Sequence, residues 1–368
     1  MTIDSGSVDR IPVGVLGATG MVGQRIVSLL ASHPWFEIVI VAASPSSAGK
    51  TYGEAMMDRW SLSTEIPRSI APLVVKRVEE DAAAICTKVK LVFCAVDMSK
   101  EQVCALECLY AELGVGVVSN NSAHRMSPDV PVLIPEVNPE HTQIIENQRR
   151  QRGWKSGFIA VKPNCSIQSY VPVLAALADL KITDVEVTTL QAVSGAGKKL
   201  SEWPEMEDNV IPFISGEEEK SEREPLKIFG HITDQGIELA SSPTISATCI
   251  RVPVSDGHLV SLSFDVQKAV ESSEIIKSIQ TFVPRCASYS LPSVPPQFLV
   301  YLEDENRPQT KLDRDLGKGM TVSVGRLRQR AKKGWKCVAL SHNTLRGAAG
   351  GAVLMAELLH AQGYIHTN

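Results

Sequence analysis

The chain has 368 residues, of which 44% are hydrophobic and 21% charged, and its formal net charge is −4. That length accommodates two domains with real cores, and the balance is that of an ordinary globular protein rather than a disordered or fibrous one. Basic residues are dispersed apart from a short run in "GRLRQRAKKGWK", and no apolar run nears the ~20 residues that span a bilayer, so neither nucleic acid nor membrane is an expected partner.

In chain order, "IPVGVLG" reads as a strand and is followed by a helix with Val22, Ile26, Leu29 and Leu30 on one face, then by "IVIVAAS". Further on, "KLVFCAV" precedes a helix with Val103, Leu106, Tyr110 and Leu113 on one face, and "GVGVVSN" follows. Such alternation predicts a parallel sheet with helices on both sides. "RRQRGWKSGF" reads as a polar connector, which puts the domain boundary just before Cys165. Beyond it, "VEVTTLQAV", "ISATCIRVPV", "HLVSLSFDV", "TVSVGRL" and "GWKCVALSH" are strand candidates with fewer helices between them, so a mixed or largely antiparallel sheet is expected. "GAAGGAVLMAELLHAQ" is a small-residue helix suited to close packing, expected to return to the first domain.

The expected fold is thus α/β: a Rossmann-type dinucleotide-binding domain over 1–163, a second α+β catalytic and dimerisation domain on a mixed sheet over 164–340, and a C-terminal helix within 341–368. A broad sheet with few covering helices should bury its open face against a second copy. The N-terminus, "MTIDSGSVDRIPVGVLG", has neither a secretory nor a presequence pattern. The eight cysteines show no disulfide framework and no zinc-ligand spacing. Both features point to the reducing cytoplasm, with no metal expected.

Gly17, Gly20 and Gly23 in "VGVLGATGMVGQ" stand where the first strand turns into a helix. Glycines there let the turn tighten and the backbone approach a pyrophosphate, whose charge suits a helix start. The second strand ends in "VAASPSSAGK" without the Asp or Glu that would hold a ribose 2′-hydroxyl; Ser44, Ser46, Ser47 and Lys50 fit a 2′-phosphate instead, which favours NADP over NAD. "VSNNSAHRM" falls at the carboxyl edge of the sheet, where Arg125 can grip an anion. Cys165 precedes "SIQSYVPVLAALADL", helical apart from Pro172, and a thiol at a helix start gains thiolate character from the dipole. "RVPVSDGH" brings Arg251 and His258 close together, a carboxylate clamp beside a proton shuttle. Cys94, Cys104, Cys108 and Cys337 read as core thiols, and "GEEEKSERE" as a solvated charge run.

Taken together, "GATGMVGQ", "SNNSAHRM", "PNCSI", "LQAVSGAG", "EEEKSEREPLKI", "RVPVSDGH" and "NTLRGAAGG" resemble aspartate-semialdehyde dehydrogenases over nearly the whole chain, leaning toward their fungal and archaeal branch. The resemblance implies NADPH-dependent reduction of aspartyl β-phosphate to aspartate β-semialdehyde with release of phosphate, on the route to lysine, threonine and methionine, by a homodimer or homotetramer. It makes Cys165 the nucleophile, His258 the acid/base and Gln191 an orienter of the thioester. It gives Arg125 and Lys220 to the substrate phosphate, Arg251 to the α-carboxylate, Glu217 (or its neighbour Glu218) to the α-amino group, and adds Asn164 to the substrate site. NADP contacts would come from Gly17, Thr19, Gly20, Met21, Val22, Gly23, Ser44, Ser47, Ser194, Gly195 and Asn343. Relatives often carry an arginine in the loop that here reads "ASPSSAGK". The alternatives are a malonyl-CoA reductase or an N-acetyl-glutamyl-phosphate reductase of the same fold, or a regulatory NADP-binding protein without catalysis; the last should have lost some of Cys165, Gln191, Arg251 or His258.

Overall fold

The protein is described here by a computed structural model covering residues 10–331 and 334–366. The reading of the extreme N-terminus concerns residues 1–9, which lie outside the described residues, as do Lys332 and Lys333 of the basic run. Two six-stranded sheets organise the chain. The first contains β1 (Ile11–Leu16), β2 (Phe36–Ala43), β3 (Lys76–Arg77), β4 (Leu91–Cys94), β5 (Gly116–Ser119) and β6 (Phe158–Val161) in the order 3-2-1-4-5-6. All of its pairings are parallel. Strands β4, β5 and β6 are buried at every residue, which is why they read as unbroken apolar runs rather than alternating ones.

The helices between them pack with small shifts from expectation. Met21–Leu30 buries Gly23, Ile26, Val27 and Leu30, while Leu29 is 37% exposed, so the buried stripe turns toward Val27. Lys100–Glu112 starts at a Ser99/Gln102 capping box and buries Val103, Leu106 and Tyr110; Leu113 lies past its end and is exposed. The stretch expected as a connector is part of the first sheet's last crossover: residues 149–152 finish the helix Ile144–Arg152, Gly153 ends it at φ 70°, and Phe158 opens β6.

The second sheet holds β7 (Ile182–Gln191), β10 (Thr244–Arg251), β11 (His258–Val266), β12 (Leu299–Leu302), β13 (Val322–Ala331) and β14 (Gly334–Ser341), ordered 10-7-11-14-13-12. It is mixed: β10 with β7 and β12 with β13 run parallel, the other pairs antiparallel. A small hairpin, β8 (His231–Thr233) and β9 (Gly236–Glu238), stands apart. One face of the sheet packs into the main core through Val187, Val260, Leu262 and Val324. Its other face leaves Leu190, Ile250, Leu259 and Val338 only half-buried.

After β14 the chain makes a π-helical turn, Leu345–Ala349, and the helix Gly350–Ala361. Residues 350–359 of that helix are all buried, and Ala352, Val353, Met355, Ala356 and Leu359 join the core of β1, β2 and the helix Met21–Leu30. Among the described residues no helix is long and apolar enough to cross a membrane.

Candidate active site

Where β1 and β4 diverge, a cavity of about 500 Å³ opens at the carboxyl edge of the first sheet. Gly17, Thr19, Gly20, Ser44, Pro45 and Arg59 line it on one side, Ala95, Val96, Asp97 and Met98 on the other. This is the point where the strand order reverses and doubly wound sheets bind nucleotides. The three glycines have different reasons to be there. A Cβ on Gly17, whose φ is +79°, would sit 2.3 Å from the Ala95 carbonyl oxygen, and one on Gly23 would sit 2.1 Å from that of Gly17. Gly20 meets nothing closer than 3.5 Å and opens onto the cavity.

Ser44 and Ser46 hydrogen-bond to each other at 3.0 Å, and the buried Ser47 hydroxyl accepts from Arg59 Nη1 at 3.3 Å. Arg59 is the residue that sequence reasoning missed. It lies after the helix Tyr52–Met56, fixed where its own carbonyl accepts from Gln24 Nε2 at 3.1 Å. It therefore brings to the serine loop the cation that the loop lacks, through a tertiary contact that no local spacing encodes. Lys50, Met21, Val22 and Ser47 are not among the residues lining the cavity.

The second centre is built around Cys165. Its Sγ lies 3.3 Å from His258 Nε2, across from the first residue of β11. His258 Nδ1 accepts the backbone N–H of Ala192 at 3.1 Å, so the neutral ring carries its proton on Nε2 and donates toward the sulfur. Burial, and then the nearby charge of Arg251, push the His258 pKa down to about 3. The thiol is pushed up to about 11, by burial first and then by Glu217, against the opposing charges of Lys162, Arg125 and Arg251. This corrects the expectation of a thiol acidified by a helix start. Only a 3-10 turn, Ser166–Ser169, follows Cys165, and the next helix is short, Val171–Ala176, with Pro172 in its first turn. Such short pieces carry little aligned dipole.

Glu217, the first residue of the helix Glu217–Ile228, gathers the polar side of the centre. It accepts from Asn164 Nδ2 at 2.9 and 3.0 Å, from Gln191 Nε2 at 3.2 Å and from Lys220 Nζ at 2.8 Å. Burial alone would raise its pKa, but the Lys220 charge and these hydrogen bonds outweigh it and hold the carboxyl below the usual range. Glu218 turns away and accepts the backbone N–H of Cys249 at 3.2 Å, so of the two neighbours it is Glu217 that faces Asn164 and Gln191. The acidic run is therefore not a simply solvated face, because Glu217, Ser221 and Glu224 of one helical side are buried.

Glu224 is a second residue that pattern reading passed over. Its carboxylate pairs with Arg125 Nη1 at 2.9 Å and accepts the backbone N–H of Asn164 at 2.6 Å. Arg251 donates to the Ala192 carbonyl at 2.7 Å. Ser194 and Gly195 stand at this centre rather than along the first cavity: Asn343 Nδ2 donates to Ser194 Oγ at 2.8 Å, and a Cβ on Gly195 would lie 2.9 Å from Arg251 Nη1 and 3.1 Å from His258 Cε1. Asn343 also accepts the Gly257 N–H at 2.8 Å. Of the remaining thiols, Cys108 also has an imidazole and a guanidinium near it, His124 at 3.8 Å and Arg152 at 3.3 Å, but it lies away from the Glu217 and Arg251 set. Cys94, Cys249, Cys286 and Cys337 are buried, whereas Cys104 and Cys108, expected in the core, are only half-buried because their helix turns that side to Arg152 and His124.

Comparison with known proteins agrees with this geometry. The description "Semialdehyde dehydrogenase, NAD binding domain" matches residues 12–145, and "Semialdehyde dehydrogenase, dimerisation domain" matches residues 174–346. The chain is 43% identical to an aspartate-semialdehyde dehydrogenase of Archaeoglobus fulgidus, over 95% of this chain and 98% of that one. It is 39% identical to the Aspergillus fumigatus protein of that name, over 96% and 98%. The crystal structure of the Candida albicans enzyme with NADP superposes with a TM-score of 0.86 at 36% identity, covering 97% of this chain and 100% of that one. A thiol and imidazole set between two such domains, in a chain aligned almost end to end with these relatives, place it in the aspartate-semialdehyde dehydrogenase family.

Proposed function

We propose that this protein reduces L-aspartyl 4-phosphate to L-aspartate 4-semialdehyde with NADPH, releasing phosphate, in the biosynthesis of lysine, threonine and methionine. The observation that carries the reading is the Cys165 thiol, 3.3 Å from His258 and flanked by both an acidic and a basic set of side chains. The substrate's ammonium, carboxylate and phosphate require one anionic and two cationic contacts. Glu217 suits the ammonium, Arg251 the carboxylate, and Arg125 with Lys220 the phosphate. Asn164 and Gln191 hold Glu217 in place and leave Gln191 beside the acyl group.

In this reading the Cys165 sulfur attacks the acyl carbon, the carbon–sulfur bond forms, and the bond to the phosphate oxygen breaks as phosphate leaves on Arg125 and Lys220, taking up the proton that the thiol gives up. An acyl phosphate is electrophilic enough that positioning does most of the work. NADPH, which Gly20, Ser44 and Arg59 would hold, would supply the hydride that takes the thioester to the aldehyde level. His258 Nε2–H points at the Cys165 sulfur in the free enzyme and then supports the oxygen that gains charge beside it. For full proton transfer the ring must become cationic, and the anionic groups of the substrate move its pKa in that direction. Collapse breaks the carbon–sulfur bond, and the sulfur leaves with the electron pair.

NADP fits the residues present. Gly20 leaves the cavity open where a side chain would fill it, and Ser44 and Arg59, the latter held by Ser47, supply a hydroxyl and a cation for the 2′-phosphate. Residues 174–346 match a dimerisation domain, and the half-buried apolar face of the second sheet suits a second copy, as a homodimer or homotetramer. The cytoplasm is the expected compartment.

The test follows NADP reduction with aspartate semialdehyde and phosphate, and with arsenate in place of phosphate. Phosphate-dependent signal that is lost in Cys165→Ala, with NADPH binding retained, is the expected result. Turnover that survives Cys165→Ala would overturn the nucleophile, and NADPH oxidation with malonyl-CoA alone would replace the substrate.

A further inference from the structure

Lys162 leaves β6 three residues ahead of the nucleophile, and its backbone N–H donates to the Ser119 carbonyl at 2.8 Å. Its side chain is 2% exposed, yet its Nζ has no hydrogen-bond partner among the described residues. A buried amine in that condition is costly unless it has a counter-charge or loses its proton. The segment that covers it also covers Cys165. A Cβ on Gly351 would lie 2.4 Å from Lys162 Cε and 3.2 Å from its Nζ, and one on Gly347 would lie 2.8 Å from Cys165 Cβ. Amine and thiol are therefore closed under one stretch of backbone whose glycines admit nothing larger.

The charges around the two groups sort into pairs with one remainder. Arg346 is 2.7 Å from Glu136, Arg125 is held by Glu224, and Lys220 by Glu217. His258 is neutral in the tautomer its neighbours select. Arg251 faces the substrate side from β10, and its effect on the thiol is smaller than that of Lys162. Glu136, already held by Arg346, is the one other anion acting on Lys162, so Lys162 has no anion of its own except the one that Cys165 acquires on losing its proton.

We propose that Lys162 is a positioning residue for the nucleophile: its ammonium is the buried counter-ion of the Cys165 thiolate. Burial disfavours either charge alone, taking the Lys162 pKa down to about 7, while each charge favours the other. The thioester removes the anion and leaves Lys162 unmatched, so the same pairing assists cleavage of the carbon–sulfur bond, in which sulfur takes back the electron pair.

The inference rests on Cys165 being the nucleophile, but its test does not use turnover. Iodoacetamide alkylation of Cys165, read on its own peptide by mass spectrometry from pH 5 to 10, gives the thiolate profile of the intact protein. In Lys162→Met the profile should move up by at least about one unit, with about a tenfold slower reaction at pH 7 and unchanged NADPH affinity. A profile that overlays the parent overturns the proposal, whereas failure of the nucleophile reading shows separately as turnover in Cys165→Ala. Should Lys162→Met not fold, NMR of side-chain ¹³C-labelled lysine reads the same coupling in reverse. The Lys162 titration should fall in Cys165→Ser relative to the parent, and an unmoved titration overturns the proposal.

Discussion

Arg59→Leu tests how the ribose 2′-phosphate is held. The substitution keeps an aliphatic stem and removes the guanidinium that donates to Ser47 at the wall of the first cavity. A charge-assisted hydrogen bond contributes about 1.5–3 kcal/mol. Arg59 is exposed, so water and salt screen it and the lower end applies. About 1.5 kcal/mol corresponds to roughly a tenfold rise in Kd. Titration of cofactor fluorescence should show that rise for NADPH and no change for NADH, and the NADPH loss should shrink as salt is raised. Equal weakening of both cofactors would refute the reasoning, because it would make Arg59 a support for the Ser47 loop rather than a contact for the phosphate. An unchanged NADPH affinity would refute it as well.

Three other outcomes follow from the geometry. Gly23→Ala should lower the melting temperature sharply, since its methyl would lie 2.1 Å from a carbonyl oxygen, while Gly20→Ala should keep the melting temperature and weaken cofactor binding. Glu224→Ala should destabilise by about 3–5 kcal/mol in chemical denaturation, because it strands the buried Arg125 charge; Glu224→Gln, which still accepts from Asn164, should lose less. The buried Glu107, pushed up to about 7 by burial against the hydrogen bond from Ser119, holds a proton in the folded state that the unfolded chain has already released. Stability should therefore fall as pH rises from the ordinary carboxyl range toward 7, by on the order of 3 kcal/mol, and Glu107→Gln should flatten that slope in denaturation curves at pH 5 and 7.5.

Local pattern carried the strands well. Runs such as "LVFC" and the alternating "HLVSLSFDV" became β4 and β11 because burial on two faces, or on one, writes directly into residue order. The short edge elements β3, β8 and β9, of two or three residues, leave no comparable trace. At the site, Asn164, Gln191, Glu217 and His258 gather around Cys165, since each sits at or just past the end of a strand or at the start of a strand or helix. Arg59 and Glu224 were not legible because their value lies in a partner far along the chain, Ser47 and Arg125 respectively. The thiol's environment was misjudged for a related reason: pattern gives a helix start, but desolvation depends on everything packed over it.

The buried helix Gly350–Ala361 makes the first domain discontinuous in the chain. During synthesis, β1 to β6 emerge first, yet part of the apolar surface of β1, β2 and Met21–Leu30 has no cover until the helix Gly350–Ala361 has been made. The nucleotide-binding half thus matures last although it is made first. Any nascent or truncated chain ending near β14 exposes that surface, so quality control would find the incomplete protein by the same face that completes the cofactor domain.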